Sequence, residues 1–172
     1  MRLELVHVML KPDTLESGMR DIIFKELLKI GGHLLISKRM ILNQTQISDI
    51  YSDFKNIRAK KTVFQYFTTK ETEHLAFMGE RGIHKNYQEA KGKTGVRGIR
   101  GEFYTRYTKL SPKELSKWLE GSLMNSAAID LEMFGRDILH VPNSPEESKR
   151  GLRAVLGCNR LKIDQDRYIS LV

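Results

Sequence analysis

Residues 3–10, LELVHVML, make a short apolar run that Lys11-Pro12-Asp13 stops, which predicts a strand. From 17 to 30, Met19, Ile22, Ile23, Leu27 and Ile30 fall on one helical face, and Gly31-Gly32 supplies the stop. Residues 33–42 alternate apolar and polar as far as Met40-Ile41-Leu42, the pattern of a second strand. Ile47, Ile50, Tyr51 and Phe54 recur at helical spacing over 45–54, and 60–67 is a weaker helical stretch. Residues 73–79 predict a third strand and 80–90 a polar helix. Near the end, Asp137-Ile138-Leu139-His140 reads as a short apolar strand that closes on an imidazole. Ser144-Pro145-Glu146-Glu147 then has the capping-box pattern, Leu152, Val155 and Leu156 form a buried stripe, and Gly157 is the stop. Strands alternating with helices in this order predict an α+β fold. The arrangement that fits is a ferredoxin-like split βαβ sandwich, a four-stranded antiparallel sheet covered by helices.

A length of 172 residues fits one domain over 1–172, and 40% hydrophobic residues suffice for one core. Residues 104–134 read as an insertion within it and 158–172 as a C-terminal tail. In the insertion, Ser111-Pro112-Lys113-Glu114 is a helix start, with Leu115, Trp118 and Leu119 as its apolar face. Cys158 is the sole cysteine, so no intramolecular disulfide forms and a reducing compartment is expected. Glu4 and His7 interrupt the first apolar stretch, which excludes a signal peptide, and no run reaches membrane-spanning length. The expectation is a soluble, cytoplasmic protein. The net charge of +8 points to anionic partners, and phosphates, nucleotides and nucleic acids all qualify.

Residues 91–101, KGKTGVRGIRG, carry glycine at 92, 95, 98 and 101, with Lys91, Lys93, Arg97 and Arg100 among them and no acid. Such a loop either cradles phosphate through exposed N–H groups and arginine forks or is a solvated connection. It is not a P-loop: the pattern needs a glycine where Tyr87 stands. The five histidines lack metal-ligand spacing, so no metal site is expected. His7, between apolar residues of a strand, reads as structural, and His84, in a polar stretch, as exposed. His140 at its strand end is either structural or a nucleophile, because a neutral imidazole can accept a phosphoryl group.

Several segments, taken in order, resemble the nucleoside diphosphate kinase family. They are Lys11-Pro12-Asp13, Gly18 with the helix to Gly31-Gly32, Gly98-Ile99-Arg100-Gly101-Glu102-Phe103, Asp137-Ile138-Leu139-His140, and Asn143-Ser144. The resemblance covers 3–157 apart from 104–134. It implies ping-pong phosphoryl transfer from a nucleoside triphosphate to a nucleoside diphosphate, with magnesium on the phosphates and His140 phosphorylated in between. It also implies that Lys11 contacts the transferring phosphate or orients the nucleophile, that Arg100 and Thr94 hold phosphate, and that Tyr51 lies near the phosphates. Assembly as a homo-oligomer is part of the same expectation.

The chain departs from the family where Gln88 aligns with a phosphate-contacting arginine and Asp137 with an asparagine. Pro142 aligns with a serine that helps hold the histidine, Gly151 with the glutamate that orients it, and Ala59 lies near the position of the aromatic that stacks on the base. A carboxylate at 137 weakens phosphate binding unless it is paired. Glu146 or Glu147 is a candidate replacement for the missing orienting carboxylate. Two readings follow: a divergent nucleoside diphosphate kinase, or a nucleotide-binding kinase-like domain with weak or no turnover that acts in regulation or assembly. A nucleic-acid-binding module ranks last, because the chain has neither a recognition helix nor an aromatic-basic sheet motif.

Overall fold

The computed structural model describes residues 3–52, 57–92, 97–104, 111–119, 137–158, 161–163 and 169–171. Thr94 and most of the 104–134 segment lie outside the described residues, as do the side chains of Ala59, Leu115, Trp118 and Leu119.

The sheet is built from β1 (Leu3–Leu10), β2 (His33–Ile41), β3 (Glu71–Glu80) and β4 (Leu139–His140). Its order is β2-β3-β1-β4, and every pairing is antiparallel, as expected for the ferredoxin-like sandwich. Strand β1 lies inside the sheet, and Leu5 through Leu10 are buried without a break. Alternate residues of this strand enter opposite layers. Val6, Val8 and Leu10 pack with Ile23, Leu27 and Tyr87, whereas Met9 packs with Ile47, Phe67 and Val155 and Leu5 with Leu152. A strand covered on both faces reads as a continuous apolar run, and each buried Leu or Val contributes roughly 1.5–3 kcal/mol.

The helices are α1 (Pro12–Glu16), α2 (Arg20–Lys29), α3 (Gln44–Ile50), α4 (Ile57–Phe67), α5 (Ile83–Lys91), α6 (Gly98–Tyr104), α7 (Pro112–Leu119) and α8 (Pro145–Leu156). The residues that stop β1 also start α1, because Pro12 occupies its first turn. The helix expected over 17–30 is α2, which begins at Arg20; α1 precedes it as an unexpected turn of helix, with Gly18 at φ 72° between the two. The end of the glycine loop, expected as an irregular connection, is helical in α6. In α3, Asn43 and Gln46 form a full capping box. In α8 only half of one forms: Ser144 accepts from the Glu147 N–H, while the Glu147 carboxylate turns to the Asn143 N–H. Ser111 and Glu114 cap α7 reciprocally. From the tail, β5 (Leu161–Ile163) and β6 (Ile169–Leu171) pair as an antiparallel ribbon.

His84, expected to be exposed, is only 5% exposed, because its polar-looking helix packs its first turn against the sheet. The strand expected over 137–140 shortens to its last two residues. Ile138 has φ 72°, a left-handed conformation that a β-branched residue rarely adopts, and it turns the chain just before β4.

Candidate active site

His140 lies opposite Met9 across the β1–β4 pair, at the edge of the sheet where β1 runs out into Lys11. The turn ahead of it is held by the carbonyl of Ile138, which accepts from the Lys11 N–H at 2.8 Å and from Thr14 Oγ1 at 2.6 Å. These bonds, with full burial of the Ile138 side chain, hold the strained conformation in place. They also bring Asp137, Leu139 and His140 beside the first turn of α1.

A cavity of about 260 Å³ opens there. Ile50, Tyr51 and Val63 form its apolar wall; Lys11, Lys91 and Arg100 supply cations; Asp137 and Glu147 supply carboxylates. His140 faces it, with the Tyr51 ring tilted against the imidazole at 4.8 Å between centroids. Phe67 also stacks with the Tyr51 ring, at 5.8 Å between centroids. Of the residues the sequence nominated, the fold thus brings together Lys11, Tyr51, Arg100, Asp137 and His140.

Asp137 ties the cations together. Its Oδ1 pairs with Lys11 Nζ, and its Oδ2 receives Arg100 Nη2 at 2.9 Å. The carboxylate that sequence comparison marks as a hindrance to phosphate is therefore paired twice. Arg100 also reaches the Leu139 carbonyl through Nε at 2.9 Å and Nη2 at 2.7 Å, which clamps α6 onto β4. Lys11 is 1% exposed, and burial lowers its pKa to about 8 despite the opposing pull of Asp137. Burial likewise lowers Lys91 to about 8, with Arg100 adding to the shift. His140 is held well below the ordinary imidazole range, chiefly by burial and then by the charges of Lys11 and Arg100. At neutral pH it is an uncharged ring beside cations, the state in which an imidazole lone pair is nucleophilic.

Gln88 is placed differently. Its amide donates to the carbonyls of Val141 and Pro142, so it braces the backbone after His140 and does not line the cavity. Neither glutamate takes the place of an orienting carboxylate: Glu147 borders the cavity but accepts from Asn143, and His140 Nε2 is buried without a hydrogen-bond partner among the described residues. Lys91 is a site residue that sequence reading left inside the glycine loop. Its Nζ donates to the Val141 carbonyl at 3.1 Å from the last turn of α5. Its signal was its place, since among the cations of the loop it is the one that directly follows the helix expected over 80–90.

The glycines at the ends of that loop have a steric role. A Cβ on Gly92 would lie 1.9 Å from the Arg97 carbonyl oxygen, and one on Gly98 would lie 2.6 Å from that of Ala90. Both have φ 69°, so the two glycines let the ends of the segment close against each other and deliver α6 to the site.

The described residues contain no group of three or more His, Cys, Asp or Glu side chains able to hold a metal ion, and no helix among them is long and apolar enough to cross a membrane.

At the level of sequence, no family model matches the chain and no curated protein does. Solved structures do match. The chain is similar to a nucleoside diphosphate kinase from Encephalitozoon cuniculi, with a TM-score of 0.66 at 15% identity over 94% of each chain. It is similar to an NDP kinase from Pyrobaculum aerophilum, with a TM-score of 0.64 at 17% identity over 98% of this chain and 100% of that one. It also resembles the Borrelia burgdorferi nucleoside-diphosphate kinase in a transition-state mimic with vanadate and ADP, with a TM-score of 0.65 at 11% identity over 99% of this chain and 92% of that one. Identities this low carry the likeness in three dimensions alone: the chain has the fold of the nucleoside diphosphate kinases.

Proposed function

We propose that the protein is a divergent nucleoside diphosphate kinase that passes a phosphoryl group through His140. One observation carries the reading: a neutral imidazole faces a cavity that also holds Lys11, Lys91 and Arg100. Nε2 of His140 is buried, so Nδ1 is the attacking nitrogen. In the first half-reaction its lone pair forms a bond to the γ-phosphorus, the bond from that phosphorus to the bridging oxygen breaks, and the nucleoside diphosphate leaves. In the second, a terminal oxygen of another nucleoside diphosphate takes the phosphoryl group and the P–N bond breaks. Splitting the transfer lets one site serve donor and acceptor in turn.

Lys11 and Arg100 neutralise charge on the transferring group once phosphate oxygens displace the Asp137 carboxylate from them. Lys91 adds a third cation, and Tyr51 fixes the plane of the imidazole. Magnesium would enter with the nucleotide and would offset part of the negative charge of its phosphates. Asp137 and Glu147 are the carboxylates that border the cavity, engaged by Lys11, Arg100 and the Asn143 N–H, and they would have to leave those partners to hold the ion.

A second reading, binding with weak turnover, is favoured by the Asp137 bridge, because incoming phosphate must compete with a buried carboxylate for the same cations. Incubation with γ-labelled ATP and magnesium followed by GDP separates the two. Turnover predicts labelled GTP from the wild type and none from His140→Ala. Nucleotide binding without labelled GTP supports the second reading.

A further inference from the structure

Helix α5 is anchored from its core side. Ile83 and Tyr87 are buried there, and Tyr87 Oη donates toward the carbonyls of Leu27 at 3.2 Å and Gly31 at 3.0 Å. Gln88 and Lys91, three residues apart, share a different face of the helix, and both reach the chain that follows His140.

That stretch of chain carries carbonyls in need of donors. Strand β4 ends at His140, and Val141 and Pro142 are buried just beyond it. A buried carbonyl without a donor is as costly as a lost hydrogen bond, and Pro142 brings no N–H of its own. Side chains fill the gap. The Val141 carbonyl accepts from Gln88 Nε2 at 2.9 Å and from Lys91 Nζ at 3.1 Å, and the Pro142 carbonyl accepts from the same Gln88 amide. On the other side of His140, the Leu139 carbonyl accepts from Arg100. The backbone is thus gripped on both sides of the histidine, from α5 and from α6.

His140 Nε2 has no hydrogen-bond partner among the described residues, and the ring packs on Tyr51 at 4.8 Å between centroids. Tyr51 restrains the plane of the ring. Where the ring starts from is set by the backbone between Leu139 and Pro142.

The chemistry of residue 88 suits this task. A primary amide has two N–H groups on one nitrogen, one for each carbonyl. A carboxylate there would present acceptors to acceptors. A guanidinium would supply the donors but would add a fourth cation beside Lys91, whose pKa burial and then Arg100 already lower to about 8.

We propose that Gln88 is a positioning residue for His140: its amide holds the Val141 and Pro142 carbonyls and so aims the imidazole through its backbone. The brace carries no charge, which leaves Lys91 protonated at neutral pH and able to meet phosphate. Its effect falls on the rate of phosphoryl capture, where a displacement of about 1 Å costs on the order of a hundredfold, and not on nucleotide affinity. The kinetic half of this inference rests on His140 being the phosphoryl acceptor; the positioning half does not.

Gln88→Met keeps the length of the side chain and removes both donors. In histidine ¹H–¹³C spectra the wild-type His140 ring, assigned by its absence from His140→Ala, should give one signal, and in Gln88→Met that signal should split or broaden. Labelling of His140 by γ-labelled ATP and magnesium at saturating nucleotide should slow roughly ten- to hundredfold, with ADP affinity unchanged. A role in stability alone predicts a lower melting temperature with an unmoved ring signal and a wild-type labelling rate in the folded variant, and that result overturns the proposal. So does a loss carried entirely by ADP affinity. If Gln88→Met does not fold, Gln88→Asn carries the same tests with a smaller slowing, because its shorter arm keeps an amide but does not span both carbonyls. A wild type that does not label, while its His140 signal responds to the substitution as stated, refutes the kinase reading and leaves the positioning of His140 standing.

Discussion

Asp137 presents the sharpest conflict at the scale of single residues. It is 4% exposed and bonded to both Lys11 and Arg100, so it stabilises two cations that phosphate must recruit. Asp137→Asn should separate these effects. Removal of the charge should tighten ADP binding roughly fivefold to tenfold, because phosphate no longer competes with a carboxylate. It should also cost about 1–3 kcal/mol of stability, because an amide accepts more weakly from two buried cations. Calorimetric titration and thermal melts read the two independently, and weaker binding by the variant would show that Asp137 assists the nucleotide. The same charges shape the pH profile. His140 is neutral below the usual imidazole range, whereas Lys11 and Lys91 lose their protons near 8. The kcat/KM of the transfer should therefore show no acid limb at 6.5 and should decline above about 8 as the cations discharge. An acid limb centred near 6.5 would place His140 in contact with bulk water.

Among the elements, those with strong periodicity were readable and those set by strain or by distant contacts were not. Strand β1 announced itself because both faces of Leu5–Leu10 are buried, and α8 because its cap, stripe and glycine stop agree. The break at Ile138 left no trace in the sequence, since isoleucine at φ 72° defies its own preference and is held by Lys11 and Thr14 from more than 120 residues away. Helix α6 was hidden by glycines that signal a loop. His140, Lys11 and Arg100 were legible through the order of their motifs. The glycine pinch provides the test at this scale. Gly92→Ala forces a Cβ against the Arg97 carbonyl oxygen, where backbone cannot yield as a flexible side chain does. It should displace α6, weaken the Arg100–Asp137 contact and cost about 2 kcal/mol or more. Gly82→Ala, whose Cβ meets nothing within 4 Å, carries only the strain of φ 98° and is the control. Thermal melts of the two should differ, and equal losses would mean that the pinch is not tight.

For the whole molecule, buried neutral histidines link folding to pH. His7, with its pKa lowered from 6.5 to about 4, binds fewer protons when folded than unfolded between those values. Its contribution is complete above 6.5 and is lost as pH falls toward 4, about 3 kcal/mol at most for a group this deeply buried. His74 and His140 are shifted in the same direction for the same first cause, burial. The domain should therefore lose stability steeply from pH 6.5 to 4, and His7→Phe should have a shallower slope. Urea midpoints at pH 7 and 4.5 check this, and a midpoint independent of pH would contradict neutral burial of the rings.

The central claim, that His140 carries the phosphoryl group between nucleotides, is tested most directly by intact mass and peptide mapping under alkaline conditions after a single exposure to ATP and magnesium. The account predicts one added phosphoryl group, located on His140 and removed by GDP. A phosphoryl group on another residue, or none on a folded wild-type protein that binds ATP, would contradict it.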